Sequence, residues 1–334
     1  MSIVIIAVGL IIFSAHLFTS VFERTRIPDV LLLMILGILI GPILGLVRPE
    51  DFGKFGSVAT TIALIVILFE GGIHLNISEI KDSIDETLVV TLVTFVVTCG
   101  LVALPMWLLF GVPKIVALLT GVILGGTSSA VVIPIINKLQ VGKLTYMVLF
   151  LESALTDVIC IVTTMSLLEA YRSGSIGTGQ ILGKILASLI LAAVIGSIGG
   201  FLWAFLLKRL KQLPNTAITT LAYIFVLYGF SEFLGYSGAI ASLSFGITMA
   251  NLKLVSVERI RQFTRFGVGP QDEISSYERT FFQEIVFLLK IFFFIYLGLS
   301  IKFTNWKIIA GGFAITVLIF LGRLVAFGSP CQKP

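Results

Sequence analysis

Charged side chains stand inside long apolar stretches at Glu70, Glu152, Asp157, Lys290 and Arg323. A charge in hydrocarbon is expensive, so such a residue is retained for a partner or for a task. The run Glu152-Ser153-Ala154-Leu155-Thr156-Asp157 holds two of them. Ser153 and Asp157 are four residues apart and share a helix face, as do Glu152 and Thr156. The two carboxylates lie about 140° apart around the helix, so they are assigned different jobs. Upstream, the chain reads Gly125-Gly126-Thr127-Ser128-Ser129, with Pro134 about a turn later. Glycines and a proline weaken a helix, and hydroxyls take over the backbone groups this frees. A broken helix in hydrocarbon leaves carbonyls available to a desolvated cation. Close helix packing through small residues competes with that reading, and the Asp on the following span favours the ion site. No nucleotide loop, metal-ligand cluster or nucleophile–base pair accompanies these residues, so an enzyme is not expected.

The elements that must position them are membrane helices. Of 334 residues, 57% are hydrophobic and 12% charged, where soluble domains carry roughly 25% charged residues. This composition excludes a disordered chain, a disulfide scaffold and a cytosolic enzyme. A crossing helix needs about 20 mainly apolar residues. That template gives about eleven spans: 3–21, 30–46, 57–77, 88–110, 115–136, 146–168, 181–207, 217–234, 238–252, 281–299 and 306–327. The expected class is therefore an all-α polytopic membrane protein with an interrupted fifth helix. Cys99 and Cys160 fall inside apolar runs and read as packing residues.

The net charge of +5 comes from short loops, which is how topology is encoded, and not from a nucleic-acid surface. The larger share of Lys and Arg, including Arg24, Lys81, Lys138, Lys208 and Arg259, follows odd-numbered spans. The N-terminus is therefore expected outside and the odd loops in the cytoplasm of a cell (inner) membrane. The longest loop, 253–280, is basic and is expected on the cytoplasmic side. On this topology Asp157 lies about 16 Å from the cytoplasmic end of its span, and Thr127, Glu70 and Lys290 at comparable midplane depths. A weak repeat relates Leu68-Phe69-Glu70-Gly71-Gly72 in span three to the Leu297-Gly298 end of span ten. If spans eight to eleven repeat spans one to four, the odd register makes the repeat inverted, as in many secondary transporters.

Together these residues resemble the monovalent cation:proton antiporters, especially the NhaP-like sodium/proton exchangers. The family pattern is a Thr-Asp or Thr-Ser pair on a broken helix, then Glu-Ser-x-x-Asn-Asp on the next. Leu68-Phe69-Glu70-Gly71-Gly72 and Phe292-Phe293-Phe294-Ile295-Tyr296-Leu297-Gly298-Leu299 also look like family signatures. The resemblance covers about residues 1–327. It implies an ion site formed by Asp157, Ser153, Thr127 and Glu70, with Thr156 and Ser128 beside it, and a structural ion pair between Glu152 and Arg323. Thr156 stands where the family has Asn, and Ser128 where it often has an acid. The resemblance also implies about thirteen spans, so the last two are expected to be missing from this chain, as in a C-terminally truncated product. It implies a homodimer, with residues 1–56 and 181–252 as the dimerisation bundle and 57–170 and 281–327 as the ion-transport bundle of one membrane domain, 1–334.

The expected function is electroneutral exchange of Na+ for H+ by competition at Asp157, serving pH homeostasis. No cofactor is expected beyond the transported ions, and no partner beyond the bilayer, the cations and a second copy. Lys290 either offsets the charge of Asp157 or stabilises the core. His74, four residues after Glu70, is read as an interfacial residue. The alternatives are a K+/H+ antiporter of the same fold, a transport-inactive truncated fragment, and a sodium-coupled solute symporter. The last predicts further polar groups around the site, which the sequence does not offer.

Overall fold

The computed structural model describes residues 2–25, 27–139, 141–173, 178–210, 216–252, 276–303 and 306–328. Among them every regular element is helical: α1 (Ser2–Thr25), α2 (Asp29–Ile38), α3 (Gly53–Ile73), α4 (Ile77–Leu108), α5 (Lys114–Ile123), α6 (Ser129–Lys138), α7 (Lys143–Ser173), α8 (Thr178–Leu210), α9 (Thr216–Phe233), α10 (Gly238–Ala250), α11 (Ser276–Leu299) and α12 (Trp306–Gly328). Each expected span falls on one helix, and span five falls on the pair α5 and α6. Among the described residues, six helices are long and apolar enough to cross a bilayer alone, and shorter apolar helices, α5 and α10 among them, supplement these. The expected loop 253–280 lies outside the described residues up to position 275.

Local chemistry sets several of the boundaries. Asn76 caps α4, its side chain accepting from the Ser78 N–H at 3.1 Å; such a cap satisfies one of the orphan donors of the first turn. α2 runs on into a π-turn, Leu39–Ile43, around Pro42, whose missing N–H widens the hydrogen-bond ladder. Buried Asn251, at the end of α10, donates from Nδ2 to the Leu75 carbonyl at 2.7 Å and accepts from the Ile77 N–H at 3.0 Å. One side chain thus fastens the turn between α3 and α4.

Two packing groups result. α4, α5, α6, α7 and α12 pack together, while α3 and α11 pack chiefly with α2 and α10, alongside α8 and α9. The division expected from sequence drew the line before span three and put span ten with the transport bundle, whereas α3 and α11 share their main packing with α2 and α10. Tilted and edge-to-face aromatic contacts join α3, α10 and α11. Phe69 on α3 meets Phe245 on α10 at 5.5 Å and Phe282 on α11 at 5.0 Å between centroids, and all three rings are fully buried.

The inverted repeat is visible as two reciprocal crossings. α2 meets α11 where Gly37 and Gly298 face each other, and a Cβ on either would strike the other helix's backbone, at Ile295 O or Met34 O. α10 meets α3 at Gly246 and Gly72 in the same way, a Cβ on Gly72 falling 2.5 Å from Leu243 O. The local sequences correspond: Leu36-Gly37-Ile38-Leu39-Ile40-Gly41-Pro42 in α2 and its π-turn, and Phe245-Gly246-Ile247-Thr248-Met249-Ala250-Asn251 in and after α10. Backbone cannot yield as a flexible side chain does, so Gly37→Ala and Gly246→Ala are each expected to destabilise by about 1–3 kcal/mol. A lowered thermal unfolding midpoint in detergent checks this. Beyond the first crossing, on the side expected to face outward, lies a cavity of about 390 Å³ lined by Pro42, Arg48, Glu50, Leu299 and Lys302 among others.

Candidate functional site

The break between α5 and α6 is built by close approach. A Cβ on Gly125 would sit 2.9 Å from the Phe95 ring and 3.0 Å from Cys99 Sγ; one on Gly126 would sit 2.9 Å from Cys160 Sγ. Only glycines let this strand pass between α4 and α7. Beyond it the helix restarts at Ser129, and the two half-helices present opposite ends of their dipoles to the gap.

Each end is met by the opposite charge. At the α5 side, the Arg323 guanidinium reaches across from α12, donating from Nη2 to the Gly125 carbonyl at 3.0 Å, from Nη1 to Thr127 Oγ1 at 2.8 Å and from Nε to Thr98 Oγ1 at 3.1 Å. At the α6 side sits the Asp157 carboxylate. Its Oδ2 accepts from the Ser129 N–H at 3.1 Å and from Ser129 Oγ at 2.5 Å. A carboxylate at a helix N-terminus is the favourable arrangement for both dipole and orphan N–H groups.

Glu152, almost fully buried at 1% exposure, accepts from Thr127 Oγ1, at 2.8 and 2.9 Å to its two oxygens, and from Thr94 Oγ1 at 3.2 Å. The expected Glu152–Arg323 pair therefore takes an indirect form: Thr127 stands between the two charges, taking a hydrogen bond from Arg323 and giving its own to Glu152. That engagement commits the Thr127 hydroxyl, one of the groups expected around the ion, to the structural network. Thr156 is likewise turned to the break, its Oγ1 accepting from the Thr127 N–H at 3.2 Å and donating to Ser153 O at 3.2 Å. Ser153 is buried and donates to Phe150 O at 2.9 Å. Ser128 is exposed, and its carbonyl starts α6 by accepting from the Val131 and Val132 N–H groups at 3.1 and 2.9 Å.

Glu70 and Lys290 occupy other surroundings. Glu70 holds His74 at 2.9 Å, on a turn of α3 that abuts α6 and α7, since a Cβ on neighbouring Gly71 would lie 2.8 Å from the Phe150 ring. Among the described residues, neither Glu70 nor Lys290 bonds to Asp157. Lys290 instead pairs with Asp29 at 2.8 Å, both side chains being buried. The sequence left Lys290 either offsetting Asp157 or stabilising the core; its hydrogen bond runs to Asp29, at the start of a helix that α11 packs against. Lys290→Met alone is expected to cost about 3–5 kcal/mol by breaking a buried ion pair, and Asp29→Leu/Lys290→Met to recover part of it. Thermal unfolding of the three variants in detergent measures the difference.

Ser129 was the omission of sequence reasoning. Its hydroxyl stood in the same run as Thr127 and Ser128, but only the position where α6 restarts determines which of the three meets the Asp.

Comparison with known proteins bears on family and fold. The model of the family described as "Sodium/hydrogen exchanger, transmembrane" matches residues 9–329. Among curated relatives, the chain is 26% identical over 200 residues to Na(+)/H(+) antiporter 1 of Methanocaldococcus jannaschii, covering 55% of this chain and 47% of that protein. It is 23% identical over 295 residues to the probable Na(+)/H(+) antiporter 2 of the same organism, covering 85% and 66%. The K(+)/H(+) antiporter NhaP of Alkalimonas amylolytica is 24% identical over 263 residues, with 76% and 45% covered. The chain thus spans about half to two thirds of these relatives. In fold it is similar to the solved sodium proton antiporter MjNhaP1 of M. jannaschii, with a TM-score of 0.76 at 21% identity over 100% of this chain and 79% of that one. A second structure of that antiporter, at pH 8, gives 0.72 at 23% identity over 99% of this chain and 80% of that one. With a family match running almost end to end and a broken helix whose two ends are met by Arg323 and Asp157, this multi-pass membrane chain belongs to the sodium/hydrogen exchanger family, a family of transporters and not of enzymes.

Proposed function

We propose that this chain exchanges Na+ for H+ across the membrane by competition of the two cations for Asp157. The observation that carries the reading is the pairing of Asp157 with the first N–H and hydroxyl of α6. A half-buried carboxylate held against an unwound segment has carbonyls and hydroxyls around it for a dehydrated ion. Binding of either cation neutralises the carboxylate, and the bare anion is expensive to carry through hydrocarbon. Crossing is therefore tied to loading, and loading is exclusive. Thr127 contributes backbone and its link to Glu152, while Ser153 and Glu70 supply oxygens from α7 and α3.

Asp157 is the one acid of the Thr156-Asp157 pair, which supports one-for-one, electroneutral exchange. The test is Na+-driven proton flux in liposomes clamped at different membrane voltages. Flux indifferent to voltage is expected, and flux that tracks voltage overturns the stoichiometry. The likeness to a K(+)/H(+) antiporter gives a second reading, K+ in place of Na+, since hydroxyl and carboxylate oxygens coordinate both. Parallel titration of the flux with the two ions separates them.

The moving part in this reading is the group α4–α7 with α12, sliding against α1–α3 and α8–α11, with Glu70 on the static side of the seam. A homodimer in an inner membrane, N-terminus outside and odd loops cytoplasmic, completes the proposal. The loop charges support the orientation.

A further inference from the structure

We propose that Ser129 is itself an ion ligand, the adaptable group that serves Asp157 in its empty, protonated and Na+-bound states. The inference rests on the exchange reading above. Ser129 is fully buried at 0% exposure, and both its donors converge on one oxygen, Asp157 Oδ2. Asp157 Oδ1 has no partner among the described residues, so Oδ2 is the oxygen the protein has chosen to solvate.

The two donors differ in kind. The N–H is fixed by the backbone of α6 and opposes any cation arriving at Oδ2. The hydroxyl carries one hydrogen and two lone pairs on a rotatable bond. Against the bare carboxylate it donates. Against a protonated Asp157 the same oxygen accepts from the new carboxylic O–H. Against Na+ the hydrogen turns away and the oxygen coordinates the ion jointly with the carboxylate. No other hydroxyl at the break has this freedom: Thr127 is committed between Arg323 and Glu152, and Thr156 to the Thr127 N–H and Ser153 O. Ser128 is exposed and makes no side-chain cap.

Removing the hydroxyl takes a ligand from Na+ while leaving the N–H, the dipole and the carboxylate in place. The test compares Ser129→Ala, Ser129→Gly and Ser129→Thr of the full chain, by Na+ titration of proton flux in liposomes and by the Na+-dependent rise in unfolding temperature in detergent, with choline as the control cation. Ser129→Ala and Ser129→Gly are expected to raise the apparent KM for Na+ about tenfold, the scale of one hydrogen bond to a charged group, and to shrink the Na+-dependent rise. Ser129→Thr, which keeps the hydroxyl, restores both. A merely structural Ser129 would lower the unfolding temperature equally in choline and in Na+, and that result overturns the inference. So does a wild-type KM in Ser129→Ala and Ser129→Gly, or a threonine variant as impaired as the alanine one. Asp157→Asn distinguishes the levels: if it loses the Na+ response while Ser129→Ala keeps it, only Ser129 falls, and if it keeps the response, the exchange site falls with it.

Discussion

Asp157→Asn is expected to abolish Na+-driven proton flux while leaving the fold intact. Asparagine has nearly the same shape, and its amide oxygen accepts from the Ser129 N–H and hydroxyl where Oδ2 does now. What disappears is the charge that a cation must find. A sodium ion beside a neutral amide stays uncompensated, and a lone charge inside a membrane costs about 3 kcal/mol on insertion scales. That corresponds to roughly a 100-fold loss of ion affinity. The proton is lost altogether as a competitor, because an amide does not take one up near neutral pH. A pH-indicator assay in liposomes, set beside the Na+-dependent rise in unfolding temperature, reads both consequences. Flux surviving in this variant would mean that the two cations do not meet at Asp157.

The second large effect belongs to Arg323. Replacing it with alanine strips the Gly125 carbonyl, Thr98 and Thr127 of their shared donor and takes the Arg323 charge away from buried Glu152. Breaking a direct buried charge pair costs about 3–5 kcal/mol; for this pair, linked through Thr127 with Arg323 part-exposed, a loss of about 2–3 kcal/mol is expected, still a large part of the stability of a domain. Arg323→Ala is therefore expected to lower folded yield and unfolding temperature far more than Glu152→Gln, whose amide still accepts from Thr94 and Thr127. Adding Glu152→Gln to Arg323→Ala returns part of the loss, since the stranded charge is gone. Arg323→Lys does not rescue, because three acceptors in different directions need the guanidinium fork and not a single ammonium. Equal unfolding temperatures for the alanine and wild-type proteins would show that the break is held by other means.

That Glu152 and Asp157 meet different partners was legible in the sequence, because five residues of helix separate two side chains by a known angle. So was the interruption at 125–129, where two glycines and three hydroxyls form one run with Pro134 about a turn later and an Asp follows on the next span. The partner of each charge was not. Lys290 stands at a depth similar to that of Asp157, and depth is all that a span-by-span reading supplies; its mate, Asp29, lies at the first turn of α2, just short of where the apolar run was taken to begin. The allegiance of α3 was hidden for a related reason. Gly71 and Gly72 announce a close crossing but do not say which helix crosses, and the corresponding glycine in α10 becomes meaningful only once the two are seen face to face. Ser129 shows the same limit on a smaller scale: three consecutive hydroxyls were in view, and the turn of chain that singles one out was not.

The two glycine crossings also bear on how the molecule is fastened beyond each of them. In the matching stretches that follow Gly37 and Gly246, the last residues to correspond are Pro42 and Asn251. The asparagine has an amide and uses it to clasp Leu75 and Ile77, whereas a proline side chain has nothing to clasp with, and the cavity between Pro42 and Lys302 lies open at that end. Halves that mirror each other in outline thus differ in how they are tied: Asn251 clasps the neighbouring turn through its amide, while the Pro42 end is bridged by the exposed pair Lys302 and Glu50, 3.9 Å apart.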